Sequence, residues 1–326
     1  MQFIGIDVSK AKLDCCWLRD AEKGKVKTKV FKNTPADHDA LAKWLISQTG
    51  TEPDQIRVVM EATSIYHESL AYCLFEQGFQ VSVVNPARSK EFAHSLGNIH
   101  KTDGKDSQLL AMYGHRMNPD VWQPEPAEAR ELKALLARLE ALEADLQREC
   151  NRLEKAEFTR SSERVIESLQ IMIKELTAEK TRLESNIDDH INRHPQLKKD
   201  RELMASIPGV GPVVSRLMLS VLHSRPFERA GQVSAYLGVI PRIQESGQWR
   251  GRSRLSKQGP ASVRAKLYMA AIVSVHHNPD IRDQYQRLLK NGKSKMQALG
   301  AAMRKLVQIC FGVVKHQSEY RPQVAA

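Results

Sequence analysis

The fold of the N-terminal part of the chain depends on residues 3–32, FIGIDVSKAKLDCCWLRDAEKGKVKTKVFK. They contain three short β-rich segments, FIGIDVS (3–9), LDCCWLR (13–19) and KVKTKVFK (25–32), separated by tight turn-like breaks. In the third segment Val26, Thr28 and Val30 alternate with lysines, which is the period of a β-strand. The stretch therefore predicts an antiparallel meander.

Strand and helix patterns alternate after this meander. A helix that begins at Pro35 is followed by the strand IRVVM (56–60), a helix over about 64–77, the strand VSVVN (81–85), a polar loop around residues 96–102 and a helix from Asp103. Strands that alternate with helices predict parallel crossover connections. The order βββαβαβα indicates an α/β domain over residues 1–120.

Leucine-rich helical patterns follow a proline-rich linker at residues 119–127. Leucines step by threes, fours and one seven from Leu132 to Leu153, and a second helix repeats that spacing, as in a helical hairpin or a coiled coil. Heptads alone do not identify the partner, so an intramolecular helix pair and an oligomerisation arm both stay open. We expect a coiled-coil segment over residues 121–196 and a mainly α-helical domain over residues 197–326.

The overall composition is that of a globular protein. The 326 residues suffice for two or three domains, and 41% are hydrophobic and 27% charged. No run approaches the roughly 18 uncharged apolar residues of a membrane span, and the N-terminus has no signal-peptide pattern. Five scattered cysteines without a CxxC pair predict neither a disulfide framework nor a zinc site. We expect a cytoplasmic bacterial protein with no membrane partner.

The net charge of +11 is concentrated at one end of the chain. From Arg242 to the C-terminus there are 16 Lys and Arg against 4 Asp and Glu, whereas residues 1–241 contain 33 against 34. A positive field of that density indicates a polyanionic partner, most simply nucleic acid, with a merely solvated basic surface as the alternative.

Four acidic residues are candidates for a metal site. Asp7 lies inside the first strand, where an acid is costly unless it is paired, and Glu61 follows the fourth strand at the end where α/β sheets bind ligands. Asp103 and Asp106 lie three residues apart in KTDGKDSQLLAMY (101–113), so both project from one helix face. Capping accounts for one aspartate but not for four converging acids. Oxygen ligands favour Mg²⁺ or Mn²⁺, which serve phosphodiester chemistry.

Two motifs stand out in the C-terminal region. IPGVGPVVS (207–215) has the G-x-G form of a helix-hairpin-helix turn, which can bind a phosphate, although a plain turn between packed helices has the same form. ESGQWRGRSRLSKQG (245–259) sets basic residues around Trp249 and three serines. From the chemistry alone Ser246, Ser253 and Ser256 are all candidate nucleophiles.

The basic residues of this region are predicted to contact nucleic acid. Arginine forks suit phosphate geometry, lysines supply point charges, and exposed basic loops are the alternative. The candidates are Arg242, Arg250, Arg252, Arg254, Lys257, Lys293, Lys295, Arg304 and Lys305.

The acids and the E-S-G stretch together resemble one family. GIDVSKAKLD (5–14), MEATSIYHE (60–68) and KTDGKDSQLLA (101–111) are similar to insertion-sequence transposases with an Asp-Glu-Asp-Asp site and a C-terminal serine domain, the bridge-RNA-guided recombinases. The resemblance implies a ribonuclease H-like, RuvC-like N-terminal domain. It also implies that Ser246 attacks DNA and becomes a phosphoserine while metal held by Asp7, Glu61, Asp103 and Asp106 assists. Donor and target DNA, a noncoding guide RNA and a tetramer of two dimers are the implied partners.

Three other functions fit parts of the sequence. A junction-resolving nuclease would use metal-activated water, and Ser246 would have no catalytic role in it. FIGIDVS also resembles the first phosphate loop of actin-like ATPases, but Val8-Ser9-Lys10 lacks the usual Gly-Thr. A non-catalytic RNA-binding coiled-coil scaffold would not need Asp7.

Overall fold

The chain forms two compact units, residues 1–124 and 125–326. This computed structural model describes residues 1–62, 65–96, 103–242, 245–246, 249–250 and 254–323, and for residues 103, 104, 245, 249 and 250 the backbone alone. No helix in these ranges is long and apolar enough to span a membrane. The division into three domains stays a prediction.

The first unit contains a mixed five-stranded sheet in the order β3-β2-β1-β4-β5. The strands are β1 (Gln2–Val8), β2 (Lys12–Asp20), β3 (Lys25–Lys32), β4 (Ile56–Glu61) and β5 (Gln80–Val84). The first three are antiparallel neighbours, as the alternating pattern predicted, and β1, β4 and β5 run parallel. The predicted meander and parallel crossovers are therefore confirmed.

Helices cover both faces of this sheet. They are α1 (Pro35–Thr49), α2 (Glu68–Glu76), α3 (Pro86–Ser95) and α4 (Asp103–Met117). Alternate residues of the strands pack under α1 and α2, because β-strand side chains point to opposite faces in turn. That core contains Ile4, Ile6, Val58, Met60, Leu41, Leu45, Leu70 and Leu74. On the other face, Val59, Val84, Leu110 and Tyr113 form a smaller cluster under α4.

Helix α3 was not predicted, since its sequence PARSKEFAHS offers Phe92 as its one large apolar side chain. Local signals still start it there: Asn85 is the N-cap, its side chain accepts from Ala87 N, and Pro86 occupies the first turn. The polar loop predicted after it lies mostly in residues 97–102, outside the described residues.

The second unit begins with a long helical hairpin. Helices α5 (Ala127–Phe158) and α6 (Glu163–Arg193) run antiparallel, with Lys180 Nζ 3.6 Å from Glu143 Oε1 and His190 Nε2 2.9 Å from Glu128 O. The leucine seam therefore forms an intramolecular helix pair. Whether the hairpin also joins two copies of the chain stays a prediction.

Six further helices pack with the base of this hairpin around one core. They are α7 (Pro195–Ala205), α8 (Pro212–Ser224), α9 (Ala230–Tyr236), α10 (Ala261–His277), α11 (Pro279–Lys290) and α12 (Lys295–His316). Leu132, Leu183 and Ile187 of the hairpin belong to the same buried cluster as Met218, Leu267 and Leu306.

The G-x-G stretch forms the turn between α7 and α8. Gly209 has φ +93°, and a Cβ atom there would lie 2.1 Å from Ser274 Oγ of α10. Only glycine fits both the left-handed backbone and this close approach. The first glycine therefore has a packing role, and the phosphate-binding role of the turn stays a prediction.

The segment after α12 folds back onto the helices. Gln317 donates through Nε2 to Asp200 Oδ1 at 2.7 Å, and His223 Nε2 lies 2.8 Å from Asp200 Oδ2. Asp200 is 1% exposed and also accepts from Gln196. Burial acts to raise the pKa of Asp200, but these hydrogen bonds outweigh it, and the pKa is lowered. The buried carboxylate thus ties α7 and α8 to the C-terminal segment.

The cysteines form no disulfide. Cys15, Cys16 and Cys310 are buried, Cys73 is partly buried, and Cys150 on α5 is exposed.

Candidate active site

Asp7 and Glu61 lie at the ends of two adjacent parallel strands. The last paired residues of β1 and β4 are Ile6 and Met60, so the two acids follow at equivalent positions on strands roughly 4.8 Å apart. Each acid is two residues beyond a position that faces α4, namely Gly5 or Val59. Because side chains alternate along a strand, both acids lie on the α4 face of the sheet.

Helix α4 passes over β1 in contact with its backbone. A Cβ atom at Gly5 would lie 1.9 Å from Ser107 O and 2.4 Å from Ala111 N, while one at Gly114 would lie 3.3 Å from the Phe3 ring. The helix therefore starts near the Asp7 end of β1 and ends near its beginning. Gly5 is what permits this approach.

This path puts the start of α4 at the same edge of the sheet as Asp7 and Glu61. Asp106 precedes Ser107 and is partly buried. Asp103 is the first residue of α4, and its side chain is outside the described part of the chain. Three elements thus bring the predicted acids to one edge.

Glu61 is held by a buried serine. Ser89 of α3 is 0% exposed and its Oγ donates to Glu61 Oε1 at 2.5 Å. Helix α3 in turn packs on α4, where the rings of Phe92 and Tyr113 meet edge to face with centroids 5.2 Å apart. The hydroxyl orients the Glu61 carboxylate at the edge of the sheet.

Asp14 is a further acid beside Asp7 that was not predicted from the sequence. It is the direct antiparallel partner of Asp7, so both side chains lie on the same face. Lys12 Nζ lies 3.1 Å from Asp14 Oδ2, and the Asp14 side chain is 13% exposed. Like charges directly opposite each other are destabilising, and the Lys12 ammonium offsets the charge of Asp14. The alternation of Lys12 and Asp14 around Leu13 is visible in the sequence, but the register that pairs β2 with β1 is not.

The donor set fits a divalent cation of the magnesium or manganese type. Asp7, Glu61 and Asp106 offer carboxylate oxygens, the ligands these ions prefer. Across the described ranges no three His, Cys, Asp or Glu side chains lie close enough to hold an ion, and the carboxylate of Asp103 is not among those described. The elements converge as a shared metal site requires, and the four-ligand set stays a prediction.

Ser246 lies on a small β-hairpin of the second unit. Strands β7 (Glu245–Ser246) and β8 (Trp249–Arg250) pair, with Ser246 opposite Trp249. Strands β6 (Pro241–Arg242) and β9 (Arg254–Leu255) form a second pair, with Arg242 opposite Arg254. Ser246 is exposed.

The other two candidate nucleophiles differ from Ser246. Ser256 follows β9 and is partly buried. Its N–H donates to Ile240 O, and its buried Oγ has no partner among the described residues. Ser253 lies outside the described residues. Of the two described serines, Ser246 is therefore the accessible one.

The predicted nucleic-acid contacts divide into two groups. Arg242, Arg254 and Lys257 are exposed in or just after β6 and β9, and Lys293 and Lys295 are exposed around the start of α12. Arg304 and Lys305 are partly buried on α12, Arg250 is described by its backbone alone, and Arg252 lies outside the described residues. Exposed cations that flank Ser246 can bind a phosphate backbone.

Comparisons with known proteins identify the family of the chain. The family DEDD_Tnp_IS110, described as a transposase, matches residues 4–156, and the family described as "Transposase IS116/IS110/IS902 family" matches residues 201–286. The pilin gene-inverting proteins of Moraxella bovis and Moraxella lacunata are each 30% identical to this chain, over 99% of it and 98% of their own length. The transposase for insertion sequence element IS1111A of Coxiella burnetii is 24% identical over 75% of this chain and 74% of its own. The chain therefore belongs to the IS110 family of transposases, enzymes that cleave and rejoin DNA.

Proposed function

We propose that the protein is the RNA-guided recombinase of an insertion sequence, in which Ser246 attacks a DNA phosphodiester beside a metal site of Asp7, Glu61, Asp103 and Asp106. The observation that carries the proposal is the position of Asp7 and Glu61 on adjacent strand ends, at the edge where α4 begins. The strand order and directions of the sheet support a ribonuclease H-like, RuvC-like domain.

The serine step follows from the chemistry of the residues. Ser246 Oγ attacks phosphorus, its proton passes to a base, and the bond from phosphorus to the leaving DNA oxygen breaks. The product is a phosphoserine and a free DNA hydroxyl, and the reverse attack by the hydroxyl of another strand rejoins DNA. A Mg²⁺ or Mn²⁺ ion held by the carboxylates would supply positive charge to the phosphate oxygens. Arg242 and Arg254 are suited to bind the neighbouring phosphates.

The partners of the proposal are DNA and a noncoding RNA from the element. The basic C-terminal region supports binding of a polyanion. If a guide RNA reads the DNA sequence by base pairing, the protein needs to recognise only the backbone and the shape of the nucleic acid. Following the family resemblance, we propose that two dimers form a tetramer in which acids of one copy meet the serine of another. We also retain the division into a catalytic domain (1–120), a coiled-coil segment (121–196) and a serine domain (197–326).

A plasmid recombination assay with Mg²⁺ or Mn²⁺, using protein purified with its bound RNA, tests the proposal. Ser246→Ala and Asp7→Asn should each abolish recombination. Ser256→Ala, which changes the serine that follows β9, is the matched control and should retain it. RNA sequencing should find one enriched element-derived RNA. Strand cleavage that survives Ser246→Ala would favour a nuclease that uses activated water.

The two Moraxella relatives favour inversion as a second outcome of the same chemistry, because they align over nearly the whole chain. The plasmid should therefore carry recombination sites in both orientations. Inverted products would identify this chain as an invertase, and excised or inserted products would identify it as a transposase.

A further inference from the structure

An exposed apolar pair lies in the connection that follows Glu61. Ile65 and Tyr66 belong to a short 3₁₀ turn (Ile65–His67) between β4 and α2, and they are 72% and 38% exposed. Of the aromatic residues that the structure describes in the first unit, Tyr66 alone is exposed, and the others are buried or half-buried. Single exposed apolar side chains are ordinary on a protein surface. The position of this pair is therefore what has to be explained.

One asparagine ties this turn to the carboxylate edge, the edge of the sheet where Asp7 and Glu61 lie. Asn33 follows β3 and donates through Nδ2 to Ser9 O at 2.9 Å and to Tyr66 O at 3.1 Å. Ser9 is two residues beyond Asp7, and Tyr66 is five residues beyond Glu61. The same amide group therefore joins the chain just after one acid to the chain just after the other, and it holds the backbone of Tyr66 at that edge.

The asparagine is itself held by a buried histidine. His38 of α1 is 2% exposed, and its Nε2 lies 2.7 Å from Asn33 Oδ1. Because the amide oxygen can only accept a hydrogen bond, His38 Nε2 carries a proton and donates it. Burial lowers the pKa of His38 in spite of the nearby carboxylates of Asp39 and Asp37, so the ring is neutral at pH 7. Both polar groups of Asn33 are thus engaged, and the turn has a fixed support.

The reaction of the family leaves bases without partners near the cut. When DNA strands are cleaved and rejoined in a new combination, the bases beside the break separate from their old partners before they pair with new ones. An unpaired base exposes an apolar face, and stacking on an aromatic side chain stabilises it whichever base it is. Enzymes that act on a base outside the duplex hold it between aromatic and apolar side chains in the same way.

We propose that Ile65 and Tyr66 hold an unpaired DNA base beside the phosphate that is cut, with the Tyr66 ring stacked on the base. This inference rests on the proposed function, in which Asp7 and Glu61 mark the place of cleavage. The support from Asn33 suits the task, because a surface that is already ordered loses little conformational freedom on binding. We assign the base to DNA rather than to the guide RNA because the neighbouring acids act on DNA.

Abasic nucleotides test the assignment in the full-length protein with its bound RNA. Affinity for a labelled DNA recombination site is measured in the Asp7→Asn background, which should bind the DNA but not cleave it. One abasic nucleotide is moved through the positions beside the cut that the wild type makes. At one position it should weaken binding about 5- to 100-fold, the usual contribution of one stacked base. Adding Tyr66→Ala should cause the same loss on intact DNA and no further loss on DNA that is abasic at that position.

Matched variants separate stacking from a structural effect. Tyr66→Phe keeps the ring and should bind as tightly as the protein with Tyr66. Ile65→Ala should weaken binding by a smaller factor than Tyr66→Ala does. Ile46→Ala is the control, since Ile46 is 38% exposed near the end of α1, and it should leave binding unchanged.

The possible failures give different results. Losses from Tyr66→Ala and from the abasic nucleotide that simply add at every DNA position would overturn the proposal. Coupling that appears only when the abasic nucleotide is in the bound RNA would overturn it as well. Cleavage by Asp7→Asn would contradict the proposed function, whereas an inactive Asp7→Asn protein without coupling would contradict the stacking assignment alone.

Discussion

Ser89→Ala is the sharpest test of how the carboxylate edge is organised. The buried hydroxyl donates to Glu61 Oε1 at 2.5 Å, so its removal takes away one contact that orients this carboxylate for metal binding. A hydrogen bond to a charged group contributes about 1.5–3 kcal/mol. If that energy orients the ligand, metal affinity should fall about 10- to 100-fold, which is the usual effect of losing such a supporting contact.

The assay is DNA cleavage as a function of Mn²⁺ concentration. Ser89→Ala should shift half-saturation upwards by that factor and recover much of its rate at high metal. Ser82→Ala is the matched control, since Ser82 is equally buried in the same unit but donates to Pro119 O at 3.3 Å. Equal half-saturation for Ser89→Ala and wild type, or the same shift in Ser82→Ala, would refute the reasoning. Thermal unfolding of both variants separates metal effects from stability.

Two further predictions concern packing and pH. Gly5→Ala should destabilise the first unit by about 1–3 kcal/mol and abolish cleavage, because the new methyl would overlap Ser107 O of α4; thermal unfolding and the plasmid assay measure both. Asp200→Asn should lower the free energy of unfolding by about 1.5–3 kcal/mol at neutral pH. The pKa of Asp200 is lowered in the folded protein, so its carboxylate stabilises the fold at pH values above the unfolded pKa. That difference should shrink as pH falls below about 4, the pKa of an aspartate in the unfolded chain, and vanish once the pH is below the lowered pKa of Asp200 in the folded protein. Urea unfolding of both proteins across that range measures the difference, and an unchanged difference would contradict the prediction.

Much of the first unit could be predicted because its strands carry strong local patterns. The alternation in β3 and the acids at strand ends gave the meander, the crossovers and the edge where Asp7 and Glu61 lie. Asp14 could not be found this way, because its position opposite Asp7 depends on a register that no local pattern specifies. Ser89 was equally hidden, since the helix that carries it has few apolar residues.

The second unit shows the same division. The leucine seam predicted two long helices, which form one intramolecular hairpin. The strands around Ser246 are two residues long, too short for any alternation to appear, so these strand pairs had no sequence signal. The basic composition of the C-terminal region was the signal that predicted nucleic acid as its partner.

The unequal exposure of the thiols gives the protein a natural attachment point for a probe. Burial raises the pKa of Cys16 to about 11 and of Cys310 to about 12, and it also raises the pKa of Cys15 and Cys73, so these thiols stay protonated and slow to react. Cys150 is exposed on the helical hairpin. A maleimide dye should therefore mark that hairpin without any engineered cysteine, and energy transfer between differently labelled copies would test whether two hairpins come together on DNA.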